Sequence, residues 1–273
     1  MTGSDARLRA EIVEYGHRLH ARGWVANHDG NVSARAAGGQ ILCTPTATSK
    51  AAVTADVVVT LATADEPVRV IHSRARPPGE VNLHLAAYRS RPDVRAVLHA
   101  HPPTATGFGV AGITLLEQPV LAEAVVSLGP CIPTVPFAPP GAAAAAALAP
   151  FLPEHDAMLL AGNGVLVVGD SLEQAWLRLE LVEHLARICA VAHAMGAVPS
   201  FPCEALPALL EARRKAGLGP EARGVATPAR SPAAATALPA SGGVGGSGAA
   251  SARSGPDLAR VIREEVERAM RRK

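Results

Sequence analysis

The sequence predicts a layered domain of mixed α and β structure carrying a separate C-terminal appendage. Short apolar runs of strand length alternate with segments of helical periodicity through the first two hundred residues, the pattern of an α/β or α+β layered domain. Of the 273 residues, 48% are hydrophobic and 18% charged, enough apolar surface for a sizeable core. At Gly217 the composition then changes abruptly. Together these imply one large domain, 1–216, and an extension.

Leu8, Ile12, Tyr15 and Leu19 recur at helical spacing, predicting a helix from Ser4 to Arg22 that Gly23 stops. Gly30-Asn31-Val32-Ser33 and Thr44-Pro45-Thr46 read as loops on either side of a short strand, Gln40 to Cys43. Val57 to Leu61 and Val68 to Ile71 read as strands, and Glu80 to Ser90 as a helix ended by Arg91-Pro92. Val94 to His99 is a strand that stops at His101-Pro102-Pro103. The alanine run Ala142 to Leu148 is a short helix between prolines. Ala157 to Ala161 and Val165 to Val168 are two strands around the turn Gly162-Asn163-Gly164. Ser171, with Gln174 three residues on, marks the start of a long helix reaching Met195.

Composition excludes several classes of function. A net charge of +2 gives no field for nucleic acid, and two Trp, two Tyr and four Phe give no base-stacking platform. Cys43, Cys131, Cys189 and Cys203 have no zinc-finger spacing and read as reduced thiols. No apolar run approaches a membrane span, and the N-terminus lacks a signal-peptide core. The expectation is a cytoplasmic protein that binds neither membrane nor nucleic acid.

The candidate chemistry centres on His99 and His101. Two apart on a strand, both imidazoles point to one face, a disposition suited to a transition metal. Glu80 opens a helix after Pro77-Pro78-Gly79, where a carboxylate serves either the helix dipole or acid/base chemistry. His84 lies one helical turn later and reads as a packing residue, and His28 is a spare imidazole before the GNVS run. Gly162-Asn163-Gly164 leads into a strand and not a helix, which rules out a dinucleotide loop.

These pieces, GNVSAR, TPTATSK, EVNLHLAAYRSRPDVRAVLHAHPP and LLAGNGVLVVGDSLEQAWLRLELVEHLARI, occur in one order. In that order the chain resembles the class II aldolase/adducin family over about Arg7 to Gly196. The resemblance implies a three-layer α/β/α domain with a central, mostly antiparallel sheet. It implies a homotetramer with active sites between subunits and a divalent ion, most often zinc. It carries the metal pair onto His99 and His101 and the acid/base onto Glu80. Substrate binding falls on Asn31, Ser33, Thr46, Ala47 and Gly79. The implied activity is retro-aldol cleavage of a small sugar or sugar phosphate, fuculose- or rhamnulose-phosphate-like, to an aldehyde and a ketone fragment. Alternatives within the family are an epimerase, a decarboxylase or a non-catalytic adducin-like scaffold.

Four departures bear on that transfer. Asn163 stands where the aldolases carry the third metal histidine, and an amide oxygen is a weaker ligand for zinc. Pro78-Gly79 replaces a phosphate-binding Ser-Ser, and Ala47 replaces a glycine. No tyrosine follows the His-x-His pair, whereas fuculose-type aldolases use one as proton donor; the only tyrosines are Tyr15 and Tyr88.

Beyond the domain, 30 of the 40 residues from Gly217 to Pro256 are Gly, Ala, Ser or Pro, the composition of a disordered linker. In Asp257 to Lys273, Leu258, Val261, Ile262, Val266, Ala269 and Met270 share one helical face. A linker ending in an amphipathic helix resembles the encapsulation peptides of bacterial microcompartment cargo. The expected partner of 257–273 is a shell or cargo protein, with docking on the tetramer itself as the alternative.

Overall fold

The computed structural model describes residues 3–219, apart from 66, 74, 197 and 199–201. Eight strands form one sheet: β1 (Asn31–Arg35), β2 (Ile41–Cys43), β3 (Val59–Leu61), β4 (Val70–His72), β5 (Ala96–Ala100), β6 (Thr134–Val135), β7 (Ala157–Leu160) and β8 (Val165–Gly169). Their spatial order is β4-β3-β2-β1-β5-β8-β7-β6. Every pairing is antiparallel except β6 with β7. β5 lies at the centre and is buried at every residue.

Side chains alternate across each strand, so the sheet divides two cores. Val32, Ala34, Leu98, Ala100, Leu159 and Val167 face one side. There they meet α1 (Gly3–Ala21), α3 (Pro103–Ala111), α4 (Ala122–Leu128) and α6 (Leu172–Met195). Ile41, Cys43, Val97, Met158, Leu166 and Val168 face the other side, under α2 (Val81–Ser90) and α5 (Ala142–Leu148). This is the expected α/β/α sandwich about a mostly antiparallel sheet. With few aromatics, shape is set by branched aliphatics; Tyr15, Trp24 and Trp176 gather in one cluster between α1 and α6.

Local signals place the helix ends. Ser171 Oγ accepts from Gln174 N–H at 3.2 Å, and the Gln174 side chain accepts from Asp170 N–H at 3.0 Å, closing the start of α6. Arg91, Arg178 and Arg213 converge on the fully buried Asp156 at 2.8–3.0 Å. That cluster ties the end of α2, α6 and a last helix, α7 (Leu206–Lys215), to the start of β7.

Two sequence expectations are corrected. Residues 31–33 are not a loop: Asn31 to Ser33 begin β1, paired with β5, and with β2 from Ser33 on. The polar Gly-Asn and Ser33 mimic a turn, but their partners lie in remote segments. The helical pattern of α7, opened by Pro207 at its N-terminus, adds an element the sequence reading lacks. The chain stays packed to Gly219, against the Arg213 side chain. Residues 220–256 of the linker and the 257–273 helix lie outside the described residues. Among the described residues no helix is long and apolar enough to cross a membrane.

Candidate active site

The site lies where β1, β5 and the β7–β8 turn meet the start of α2. Asn31 on β1 is the direct cross-strand partner of His99 on β5, so their side chains emerge together. His101 lies just past the end of β5, and its backbone N–H donates to Trp24 O at 2.8 Å. The two imidazole rings are 5.1 Å apart, on the same side as expected.

Two glycines allow this approach. Gly30 has φ +65°, and a Cβ there would come 2.3 Å from Val25 Cγ1 and 3.0 Å from His99 O. Gly164 has φ +76°, and a Cβ there would lie 2.3 Å from both Ala100 O and the His101 ring. Glycine alone satisfies both the backbone and the space. The GN and NG pairs thus exist to bring two turns hard against the His-x-His segment.

Glu80 caps α2 without capping it chemically; its carboxylate makes no bond to the helix N-terminus. It points instead into the site. Asn31 Nδ2 donates to Glu80 Oε2 at 2.9 Å, and Asn163 Nδ2 donates to Glu80 Oε1 at 2.7 Å. Each oxygen therefore holds one amide, fixing the carboxylate plane. Glu80 Oε2 also lies 3.3 Å from His99 Nε2. Burial pushes the Glu80 carboxyl up, but His99 and the Asn163 amide outweigh it and hold Glu80 below its ordinary value. Burial lowers His99, against the opposing pull of Glu80.

Both His99 nitrogens and His101 Nε2 are buried without a hydrogen-bond partner. An orphaned buried nitrogen is costly unless something accepts its lone pair or proton. Imidazoles whose buried Nε2 atoms lack a hydrogen-bond partner are the donor set of a transition ion, so the residues present fit a divalent metal. Among the described residues no group of three or more His, Cys, Asp or Glu side chains is arranged to hold an ion. The histidine pair is the protein's clearest contribution, beside Glu80 and Asn163.

Below Glu80 lies a buried polar chain. Ser33 Oγ is 2.7 Å from His84 Nδ1 and 2.8 Å from Tyr88 Oη. Burial lowers His84 to about 3, with His99 contributing. Ser33 is fully buried and engaged under α2, so it does not line the open cleft. His84 is a packing residue with its Nδ1 satisfied and its Nε2 not.

The structure thus brings Asn31, Glu80, His99, His101 and Asn163 together. Thr46 and Ala47 form a neighbouring loop in which Thr46 N–H donates to Arg76 O at 3.0 Å. Ala47 keeps the left-handed conformation, φ +53°, despite its Cβ. Gly79 is exposed immediately before Glu80, with nothing within 4 Å of where a Cβ would be. His28 is exposed, and its backbone carbonyl accepts from Lys50 Nζ at 3.3 Å. Sequence reasoning missed Asp29, whose Oδ2 lies 3.1 Å from His101 Nδ1. It also missed Lys50, a buried lysine whose ammonium donates to the His28 and Thr48 carbonyls. The signal available for both was a charge flanking each candidate loop.

The fold and this constellation define a class of protein, and comparison with known proteins makes it specific. The sequence model of the Class II Aldolase and Adducin N-terminal domain matches residues 10–190, and the chain belongs to that family. It is 30% identical over 189 residues to 3-oxo-tetronate 4-phosphate decarboxylase of Pectobacterium atrosepticum, covering 68% of this chain and 84% of that protein. It is 30% identical over 186 residues to methylthioribulose-1-phosphate dehydratase of Methylococcus capsulatus, covering 64% of this chain and 89% of the relative. The crystal structure of L-fuculose-1-phosphate aldolase from Thermus thermophilus superposes with a TM-score of 0.60 at 28% identity, over 72% of this chain and 100% of that one. Members of the family therefore act as aldolases, dehydratases or decarboxylases, and class II aldolases generally use a divalent metal.

Proposed function

We propose that the protein is a divalent-metal-dependent lyase that breaks a carbon–carbon bond of a small sugar or sugar phosphate by retro-aldol cleavage. The observation that carries this reading is the Glu80 carboxylate, held between two amides and set against two histidines with open Nε2 atoms. A divalent ion at His99 and His101, most often zinc in this family, would supply Lewis-acid stabilisation of the charge that cleavage leaves on the hydroxy-carbonyl fragment. Asn163 stands beside it as the weaker counterpart of a third histidine.

Glu80 handles the proton. An ionised carboxylate takes the proton from the hydroxyl whose carbon becomes the aldehyde. The electrons of the broken carbon–carbon bond pass to the other fragment, and the same proton returns to that fragment's carbon. One carboxylate suffices for this cycle. The site needs such economy, because Tyr15 and Tyr88 are both buried. With only these two tyrosines in the chain, a neighbouring subunit has none to lend. The Asn31 and Asn163 amides keep Glu80 ionised and aimed, which suits a base.

Decarboxylation of a 3-oxo sugar acid is the second reading. It is favoured by the name of the Pectobacterium relative and by the missing tyrosine. It releases carbon dioxide and consumes one proton, which an ionised Glu80 does not bring with it. The two readings separate in one assay. The zinc-loaded protein is given a panel of ketose 1-phosphates, with aldehyde detected by coupled reduction, and a panel of 3-oxo tetronate phosphates, with carbon dioxide detected directly. Aldehyde from the first panel supports the lyase proposed here; gas from the second, with no aldehyde, replaces it.

The assembly belongs to the same proposal: a homotetramer with the cleft completed by a neighbour. Support comes from α6, where Leu177, Ile188, Val191 and Met195 are exposed along one stripe. Phe137, 72% exposed beside Gly162 at the lip of the site, adds to it. The 257–273 segment is proposed to recruit this tetramer to a microcompartment shell or cargo partner, where an aldehyde product would be confined.

A further inference from the structure

We propose that Asp29 is the positioning residue of the metal pair: it fixes the Nδ1–H form of His101 and so aims the Nε2 lone pair at the ion. The proposal deepens the metal reading given above and rests on it.

Asp29 is about one-third exposed, with one oxygen hydrogen-bonded and the other set against His101. Oδ1 accepts the Ala26 N–H at 2.5 Å, closing the turn that ends in Gly30. Oδ2 stands 3.1 Å from His101 Nδ1. A carboxylate has no proton to give, so that contact is a hydrogen bond only when Nδ1 carries the hydrogen. A neutral imidazole has one such hydrogen, which leaves Nε2 as a bare lone pair. That Nε2 is buried and has no hydrogen-bond partner, and the ring stands 5.1 Å from that of His99.

The turn itself is braced. Lys50 Nζ donates to the carbonyl of His28, the residue before Asp29, at 3.3 Å, and to Thr48 O at 3.1 Å. Gly30, on the other side, has no room for a Cβ. Asn27 takes a left-handed conformation, φ +50°, strain that persists only where the surroundings impose it. The Asp29 carboxylate is therefore delivered by a clamped loop. His99 is different, because neither of its nitrogens has a hydrogen-bond partner. Asp29 makes direct contact with His101 only, as an outer carboxylate does when it sets tautomer and basicity of a metal-binding imidazole.

The test uses the full-length chain, stripped of metal and labelled with nitrogen-15, and two variants, Asp29→Ala and Asp29→Asn. Nitrogen shifts of His101 in the metal-free protein report which ring nitrogen carries the hydrogen, and zinc titration against a competing chelator reports affinity. Wild type should show the Nδ1–H form. Asp29→Ala should lose it and bind zinc roughly 10–100-fold more weakly. Asp29→Asn keeps a neutral acceptor and should restore the Nδ1–H form with intermediate affinity. A wild-type His101 protonated at Nε2 overturns the proposal, as does Asp29→Ala with unchanged tautomer and zinc affinity within about twofold of wild type. If wild type takes up no zinc, the metal reading itself fails, and the nitrogen shifts still decide whether Asp29 sets the ring.

Discussion

At the residue scale, function concentrates in side chains that have given up ordinary roles. Glu80 stands where a carboxylate would serve the helix dipole, yet both its oxygens are taken by Asn31 and Asn163. Glu80→Gln keeps the size and loses the charge. It should retain the fold and bound metal and lower turnover by roughly 10²–10⁴-fold, while His99→Ala should lose metal. Elemental analysis with steady-state rates on both variants checks this; wild-type turnover in Glu80→Gln would return Glu80 to a helix-start role. Ala47 holds a conformation that glycine adopts without cost. Ala47→Gly should relieve roughly 1 kcal/mol of backbone strain, partly offset by the greater freedom of the unfolded chain. A higher melting temperature, or tighter binding of phosphorylated ligands, is the expected outcome; a clear fall in both would show that the methyl group is needed.

At the scale of elements, the helix after the histidine pair is fastened by a side chain and not by its own cap. Pro102 offers no capping group to α3. The carboxylate of Glu183, on α6, accepts from Thr104 N–H, Ala105 N–H and Thr104 Oγ1 at 2.8–3.3 Å. Glu183 is buried, so its loss strands donors away from water. Glu183→Ala should cost about 2–3 kcal/mol, lowering the melting temperature by roughly 5–10 °C for a domain of this size. Calorimetry checks it, and a shift below 2 °C would mean water replaces the carboxylate freely. The outer face of α6 shows the reverse case. Leu177, Leu181, Ile188, Val191 and Met195 follow steps of four, seven, three and four residues, with His184 filling the gap in the stripe. All but the half-buried Leu181 are exposed, a seam that pairs readily with another helix. Ile188→Glu with Val191→Glu should leave the fold intact and reduce the assembly, as light scattering would read; an unchanged tetramer would move the interface elsewhere.

At the scale of the whole molecule, the sheet separates two cores and the site sits at the ends of its central strands, β1 and β5. The domain closes on Asp156, where three arginines from α2, α6 and α7 meet one buried carboxylate. If the 257–273 segment recruits a partner as proposed, deleting Asp257–Lys273 should leave oligomeric state and turnover unchanged and remove association with a shell partner. Co-sedimentation with shell proteins and light scattering of the truncated chain decide it: dissociation or unfolding would make the segment part of the tetramer's own structure.

What the sequence by itself determined was local or periodic. His99 and His101 share a side because strand residues two apart must, and Ser171 with Gln174 starts α6 because both partners lie within one turn. The order of the motifs sufficed for the family, and with it the layered fold. What only the tertiary structure decided was the pairing of polar groups across distance. Ser33 looks like a turn serine until it meets His84, 51 residues away, and is buried there under α2. Asn163 became a partner of Glu80 through a contact spanning 83 residues. Asp29 and Lys50 are two ordinary surface charges in the sequence, and only folding sets one against His101 and buries the other beneath the same loop. A hydrogen bond between remote segments leaves no periodicity in either one, so the residues that aim the site stay silent until the sheet brings them together.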